Sequence, residues 1–244
     1  MVKLVVGIGK IVEGINSVLS AIDSNRVEKI IYLDPIENPS NRLKEIINIA
    51  IDKGLMLEKI STKDKWNYNS RHSVVAICTP KKTFTESNLD KINSKRIVVL
   101  DHIQDTNNLG AIARSASAFD FNIICIPKKR SVNISERTFA ISSGGLENIN
   151  IVFYNSIFTL IKKIKSFDYW TLGLDMHANE DISNIHFENQ KVALFIGSEE
   201  KGLSDEVISK LDLTLKIKMN NKMESLNASV AAGIAMNHFF KKSN

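Results

Sequence analysis

Hydrophobic and polar positions recur along the chain with two different periods, and the change from one to the other marks its elements. Lys29 to Leu33 and Val74 to Cys78 are apolar runs of strand length, while Ile15, Val18, Leu19 and Ile22, and again Leu43, Ile46, Ile47 and Ala50, fall at helical spacing. Residues 1–79 are therefore expected to form a small α/β unit. From Pro80 to Lys95 the pattern dissolves into Pro, Thr, Ser, Asn and charged residues around Leu89 and Ile92, so 80–95 reads as a linker. Strand-like runs then follow at Ile97 to Leu100, Asn122 to Ile126, Ile151 to Phe153, Tyr169 to Leu174, Val192 to Ile196 and Leu213 to Ile217, with helix-length segments between them. Continuous apolar runs suit strands buried on both faces, and their alternation with helices predicts a mainly parallel sheet over residues 96–244.

Three segments of the second region stand out. Asp105 to Phe119 follows a strand, and Leu109, Ile112, Ala113 and Ala116 make an apolar helical stripe that leaves Arg114 off it; Asn107 or Asn108 is the expected cap. Gly110, Ala111, Ser115 and Ser117 leave room for another backbone to approach. Val192 to Leu203 is a buried strand entering a glycine-flanked polar turn, with Glu199 at its carboxyl end, where open α/β sheets place ligands. Leu213 to Met219 is a strand followed by a polar loop and a helix rich in Ala, Ser and Gly, for which Ser225 or Asn227 is the natural cap. Two glycine patterns are set aside: Val12 stands where a dinucleotide fingerprint begun by Gly7 and Gly9 needs its third glycine, and Leu203 follows Gly202 where a phosphate-binding loop needs Lys.

Composition narrows the class. A 43% hydrophobic share with 24% charged residues can bury a core, which excludes a disordered chain. The net charge of +5 favours polyanionic partners. Cys78 and Cys125 are the two cysteines and neither belongs to a Cys/His cluster, so neither a disulfide framework nor a zinc site is expected. Nothing approaches the roughly 20 apolar residues of a membrane span, and Lys10 and Glu13 interrupt any leader-like run, so a cytoplasmic protein is expected.

In order, Asn108-Leu-Gly-Ala-Ile-Ala-Arg114, Gly197-Ser-Glu-Glu-Lys-Gly-Leu203 and Met223-Glu-Ser-Leu-Asn-Ala-Ser-Val-Ala-Ala-Gly-Ile234 resemble the three signature motifs of the SpoU (TrmH-like) RNA ribose 2'-O-methyltransferases, within the knotted SPOUT superfamily. The resemblance covers about residues 97–242. Gly14-Ile-Asn-Ser-Val-Leu-Ser-Ala21 and His72-Ser-Val-Val-Ala-Ile77 look like the small RNA-binding domain that precedes the catalytic domain in ribosomal members.

This resemblance implies an α/β carboxyl-terminal domain with a trefoil knot, S-adenosylmethionine as cofactor, a homodimer, and RNA rather than DNA or membrane as partner. It places the cofactor at Gly197, Ile217, Met219, Leu226 and Asn227 with Ser229 close by, and the chemistry at Arg114, Asn108 and Glu199. In that reaction a ribose 2'-hydroxyl attacks the methyl of a sulfonium ion and loses its proton. The family mechanism assigns that proton to the arginine, but a guanidinium, which stays protonated in proteins, is an uncomfortable base, so Arg114 is expected to position phosphate and stabilise the developing alkoxide, acting as base only if that phosphate deprotonates it. The separate amino-terminal unit implies a guanosine in the P loop of 23S ribosomal RNA as target; a tRNA guanosine 2'-O-methyltransferase and a non-catalytic RNA-binding assembly factor are the alternatives. Lys128, Lys129, Arg130, Arg42, Lys44 and Arg71 are candidates for RNA phosphates. Glu200, Lys218 and Asp120 depart from the family pattern, where glycine, proline and glycine are usual.

Overall fold

The computed structural model describes residues 8–33, 41–68, 71–129, 133–187, 189–220 and 225–240. Gly7, Arg130, Met223 and Glu224 lie outside the described residues. The chain divides into two compact units, residues 1–82 with 134–148 and residues 83–133 with 149–244.

The first unit opens with β1 (Ile11–Glu13), α1 (Ile15–Asp23), β2 (Val27–Leu33), α2 (Asn41–Asp52), β3 (Met56–Ile60) and β4 (Val74–Cys78). Its sheet runs β1-β4-β2-β3, with β2 antiparallel to β4 and parallel to β3 across the α2 crossover. Of the expected helical stripes, Val18 and Ile22 on α1 and Leu43, Ile46 and Ala50 on α2 are buried, while Ile15, Leu19 and Ile47 are half-buried; Ala21 joins the buried face of α1. The two apolar runs are the central strands β2 and β4. The strands that the pattern missed, β1 and β3, are the sheet's edges, where Glu58 and Lys59 interrupt β3 without penalty because one side faces solvent.

The second unit begins with β5 (Thr83–Thr85), a short 3-10 turn over Glu86–Lys91, β6 (Arg96–Leu100), α3 (Thr106–Ala118) and β7 (Ile123–Pro127). Next come α4 (Glu136–Ser142) and α5 (Gly145–Asn148), which belong to the first unit. The second unit resumes with β8 (Asn150–Tyr154), α6 (Ile157–Lys165), β9 (Tyr169–Leu174), β10 (Glu180–Asp181), β11 (Lys191–Ile196), α7 (Asp205–Ile208), β12 (Leu213–Lys216) and α8 (Ala228–Phe239). Its eight strands run β10-β12-β9-β11-β6-β7-β8-β5, all paired in parallel.

Two of the expected boundaries change. The stretch 80–95 is more than a linker, because β5 pairs with β8 at the sheet edge while Phe84, Leu89 and Ile92 pack on the core of the second unit. Residues 134–148 leave the second unit because they pack on β1 and α1, with Phe139 and Leu146 buried, and because a buried ion pair ties them there. Arg26 donates from Nε to Glu147 Oε2 at 2.9 Å and from Nη2 to Oε1 at 2.5 Å, and the Glu147 side chain is fully buried. Arg26 also donates to the carbonyls of Thr79 and Gly9, and Lys81 Nζ donates to the Glu147 carbonyl at 2.9 Å.

Helix caps also differ from expectation. Asp105, rather than Asn107 or Asn108, caps α3 by accepting from the Asn107 N–H, which frees Asn108 for another use. Asp120 ends that helix with φ of 60°, the left-handed conformation that a glycine would take, and binds Arg96 and Asn122. Among the described residues no helix is long and apolar enough to cross a membrane.

Glu147→Gln is expected to destabilise the first unit by about 3 kcal/mol, because it leaves the Arg26 guanidinium buried without its counter-charge. Urea unfolding followed by Trp66 fluorescence in a Trp170→Phe background measures this. An unchanged midpoint would show that the pair is not what holds 134–148 in that unit.

Candidate functional site

The central strands β6 and β11 end side by side, and hydrogen bonds fix what emerges from them. The Asp101 N–H donates to the Ile196 carbonyl at 2.8 Å, and the Tyr154 hydroxyl donates to the Leu100 carbonyl at 2.8 Å. Beyond β11 the chain folds into a closed turn in which Ser198 and Gly202 exchange backbone hydrogen bonds at 3.1 and 2.9 Å. Gly197 makes this closure possible. A Cβ there would lie 2.0 Å from the Gly202 carbonyl carbon and 2.2 Å from both the Gly202 oxygen and the Leu203 nitrogen. Gly202 has open space around it but a φ of +64°. The first glycine is required by close approach, the second by backbone conformation.

This turn is a wall between two cavities. The first has a volume of about 330 Å³ and is lined by the turns after β9, β11 and β12 and by the start of α8. Gly197, Glu199, Ile217, Met219 and Leu226 all face it. The second, of about 1000 Å³, lies between residues 101–105 and 198–205. Its floor carries Asp101, buried, with Oδ1 2.6 Å from His102 Nδ1 but without hydrogen-bond alignment; His102 itself has a φ of 60°.

Of the residues expected in the chemistry, Asn108 and Glu199 meet. Asn108 is buried on α3, and its amide donates to Glu199 Oε1 across the gap between the first and second segments. Arg114 does not join them: it is exposed on α3 and lines neither cavity. Asn227 and Ser229 sit at the head of α8 without lining the first cavity. Asn227 Oδ1 caps that helix by accepting from the N–H groups of Ser229 at 2.9 Å and Val230 at 3.4 Å, and from the Ser229 hydroxyl at 2.6 Å. Asn227 thereby fixes where Leu226 enters the cavity. The small faces of α3 and α8 pack on each other, with Gly233 set against Ser115.

Sequence reasoning missed the turn Asp175-Met176-His177, which lines the first cavity after β9, and Gln104 and Asp105 in the second. The first directly follows the carboxyl end of the buried strand β9 and the second lies in the loop after β6, positions that should have flagged them. No thiol nucleophile is on offer: burial pushes Cys78 up to about 12 and raises Cys125 further. Among the described residues no group of His, Cys, Asp and Glu could hold a metal ion.

An all-parallel sheet with a ligand-sized cavity at its strand ends defines an α/β domain of the kind that binds a small molecule there. Residues 95–237 match the SpoU rRNA Methylase family. The chain is 31% identical over 239 residues to the TrmH-family tRNA/rRNA methyltransferase YacO of Bacillus subtilis, covering 95% of each protein. It is 29% identical to a TrmH-family tRNA/rRNA methyltransferase of Staphylococcus aureus, covering 91% of each. In structure it is similar to the SpoU methyltransferase AviRb of Streptomyces viridochromogenes, solved in complex with its cofactor AdoMet, with a TM-score of 0.76, 20% identity, and 93% of this chain and 88% of that one covered. The chain belongs to the SpoU family and is an RNA methyltransferase of the TrmH/SpoU type.

Gly197→Ala is expected to cost about 2 kcal/mol, since backbone rather than a flexible side chain must yield, and to open the 198–202 turn. Gly202→Ala is expected to cost about 1 kcal/mol, the strain of a left-handed alanine alone. Thermal unfolding of both variants compares them; equal costs would contradict the close approach at Gly197.

Proposed function

We propose that the protein transfers a methyl group from S-adenosylmethionine to a ribose 2'-hydroxyl of RNA in the cytoplasm, with a guanosine in the P loop of 23S ribosomal RNA as target. The observation that carries this reading is the meeting of Gly197, Ile217, Met219 and Leu226 on one cavity whose wall also bears Glu199, held by Asn108. When bound, S-adenosylmethionine supplies an electrophilic methyl group.

The residues fit that molecule. The cavity is at the small end of the roughly 300–1,000 Å³ of small-ligand sites. Leu174, Ile196, Leu215 and Ile217 offer apolar cover for an adenine, and backbone groups around Gly197 and Met219 can read its edge. The complex of AviRb with AdoMet supports the choice of cofactor. Convergence of residues 174–177 and 197–202 with Ile217, Met219, Ser225 and Leu226 on one cavity is compatible with a knotted carboxyl-terminal region.

The larger cavity beyond the wall receives the target nucleotide. Asn108 and Glu199, locked together, place its ribose, and Arg114 binds the neighbouring phosphate and stabilises the alkoxide as the hydroxyl loses its proton. Because Arg114 reaches neither cavity of its own chain, the working form in this reading is a homodimer in which Arg114 serves its partner. Val230 and Ile234, exposed one turn apart on α8, give such a dimer an apolar face. Lys128, Lys129, Arg42, Lys44 and Arg71 are exposed and suited to RNA phosphates. The choice of ribosomal RNA rests on the amino-terminal unit.

Mapping 2'-O-methyl marks in ribosomal and transfer RNA from cells with and without the gene tests this directly. Loss of one guanosine mark in the 23S P loop is expected; loss of a tRNA guanosine mark would move the substrate to tRNA, and loss of none would contradict methyl transfer. Arg114→Lys is expected to lower kcat about 100-fold or more while the protein stays folded. Near-normal turnover would remove Arg114 from the chemistry.

A further inference from the structure

Among the described residues that line the first cavity, Asp175, Glu199 and Glu200 are the carboxylates and Lys201 carries the one ammonium group. Two of the three carboxylates are already engaged: Asp175 Oδ1 accepts from the His177 N–H at 3.0 Å, and Glu199 accepts from Asn108. Glu200 engages no side chain among the described residues, and it stands where the family usually has glycine.

Nor is Glu200 on a loose loop. The turn that carries it is closed by the reciprocal Ser198–Gly202 bonds and by the Lys201 N–H donating to Ser198 Oγ at 3.3 Å. The turn cannot collapse, because Gly197 is packed against Gly202. A carboxylate at the edge of the cavity with no side-chain partner among the described residues attracts a cation at little conformational cost.

We propose that Glu200, with Asp175 lining the same cavity, makes the cofactor site a charge-selective one that prefers the methyl donor to its spent product. This rests on the reading of S-adenosylmethionine as cofactor. The donor and S-adenosylhomocysteine share the adenosine, the α-ammonium and the carboxylate, so Lys201, His177 and the apolar lining treat them alike. They differ in the methyl group and in the charge on sulfur, positive in the donor and absent in the product. An acidic lining therefore binds the donor more tightly and weakens the hold on the product as transfer discharges the sulfur. Glu200 acts here as a specificity-determining residue rather than as a participant in methyl transfer.

Isothermal titration calorimetry of the full chain with each compound tests this without any turnover. Glu200→Gln is expected to weaken binding of S-adenosylmethionine about 3-fold, the scale of an exposed ion pair, and Glu200→Lys about 10-fold, as attraction is replaced by repulsion. Affinity for S-adenosylhomocysteine is expected to hold within error for Glu200→Gln and to fall less than that of the donor for Glu200→Lys. Raising salt is expected to shrink the wild-type preference. Equal changes for the two compounds, or no change for either, would overturn the inference while leaving the cofactor assignment in place. A wild-type protein that binds neither compound would overturn that assignment as well.

Discussion

The contact between Gly197 and the backbone of Gly202 and Leu203 is the constraint on which the site depends. A side chain at 197 would have to share space with a carbonyl group, so the turn after β11 can close as it does with hydrogen alone there. Closure has consequences at both ends. On one side it makes a thin wall with a cavity on each face; on the other it sends Leu203 back into the core beside Val207. That packing needs a second absence of bulk, at Gly173 in the neighbouring strand β9, where a Cβ would meet Leu211 at 2.7 Å and Leu203 at 3.0 Å. Two glycines far apart in sequence thus position one turn between a strand and the core.

Around that wall the polar groups divide their work. Asp105 caps α3 and so leaves the buried Asn108 free to hold Glu199, while Asn227 caps α8 and sets the approach of Leu226. Had Asn108 been the cap, as its position suggests, its amide would have been committed to the helix and Glu199 would have lost its partner. The small faces of α3 and α8 let these helices pack together, which ties the segment carrying Asn108 to the segment carrying Leu226. The two sides of the site are therefore held by one helix pair, and the backbone hydrogen bond from Asp101 to Ile196 holds the strand ends beneath them.

Much of this was legible in the sequence, and what was not has identifiable causes. Central strands announced themselves because burial on both faces demands unbroken apolar runs: β4 and β9 have the predicted ends, and the other interior strands differ by a residue or two. Edge strands such as β1, β3 and β5 carry no such signature, and β5 lay hidden in a stretch that reads as a linker. The transfer of 134–148 to the first unit depends on packing and on a buried ion pair between residues more than a hundred positions apart, which no local pattern encodes. At the site, Gly197, Ile217, Met219 and Leu226 on the first cavity had been singled out by their motifs, while residues 175–177 and the exposed position of Arg114 were not legible, since an off-stripe arginine looks the same whether it faces its own site, another chain or water. Glu200 was visible as a departure from the family, but that it engages no side chain among the described residues could be seen only once its neighbours were in place.

A crystal structure of the protein with S-adenosylmethionine tests the central claim most directly. The account predicts the adenine between residues 174–177 and the lining residues Ile217, Met219 and Leu226, with the methyl group directed past the 198–202 wall toward the cavity that Asp101 lines. Cofactor bound elsewhere, or with its methyl group turned away from that cavity, would contradict it.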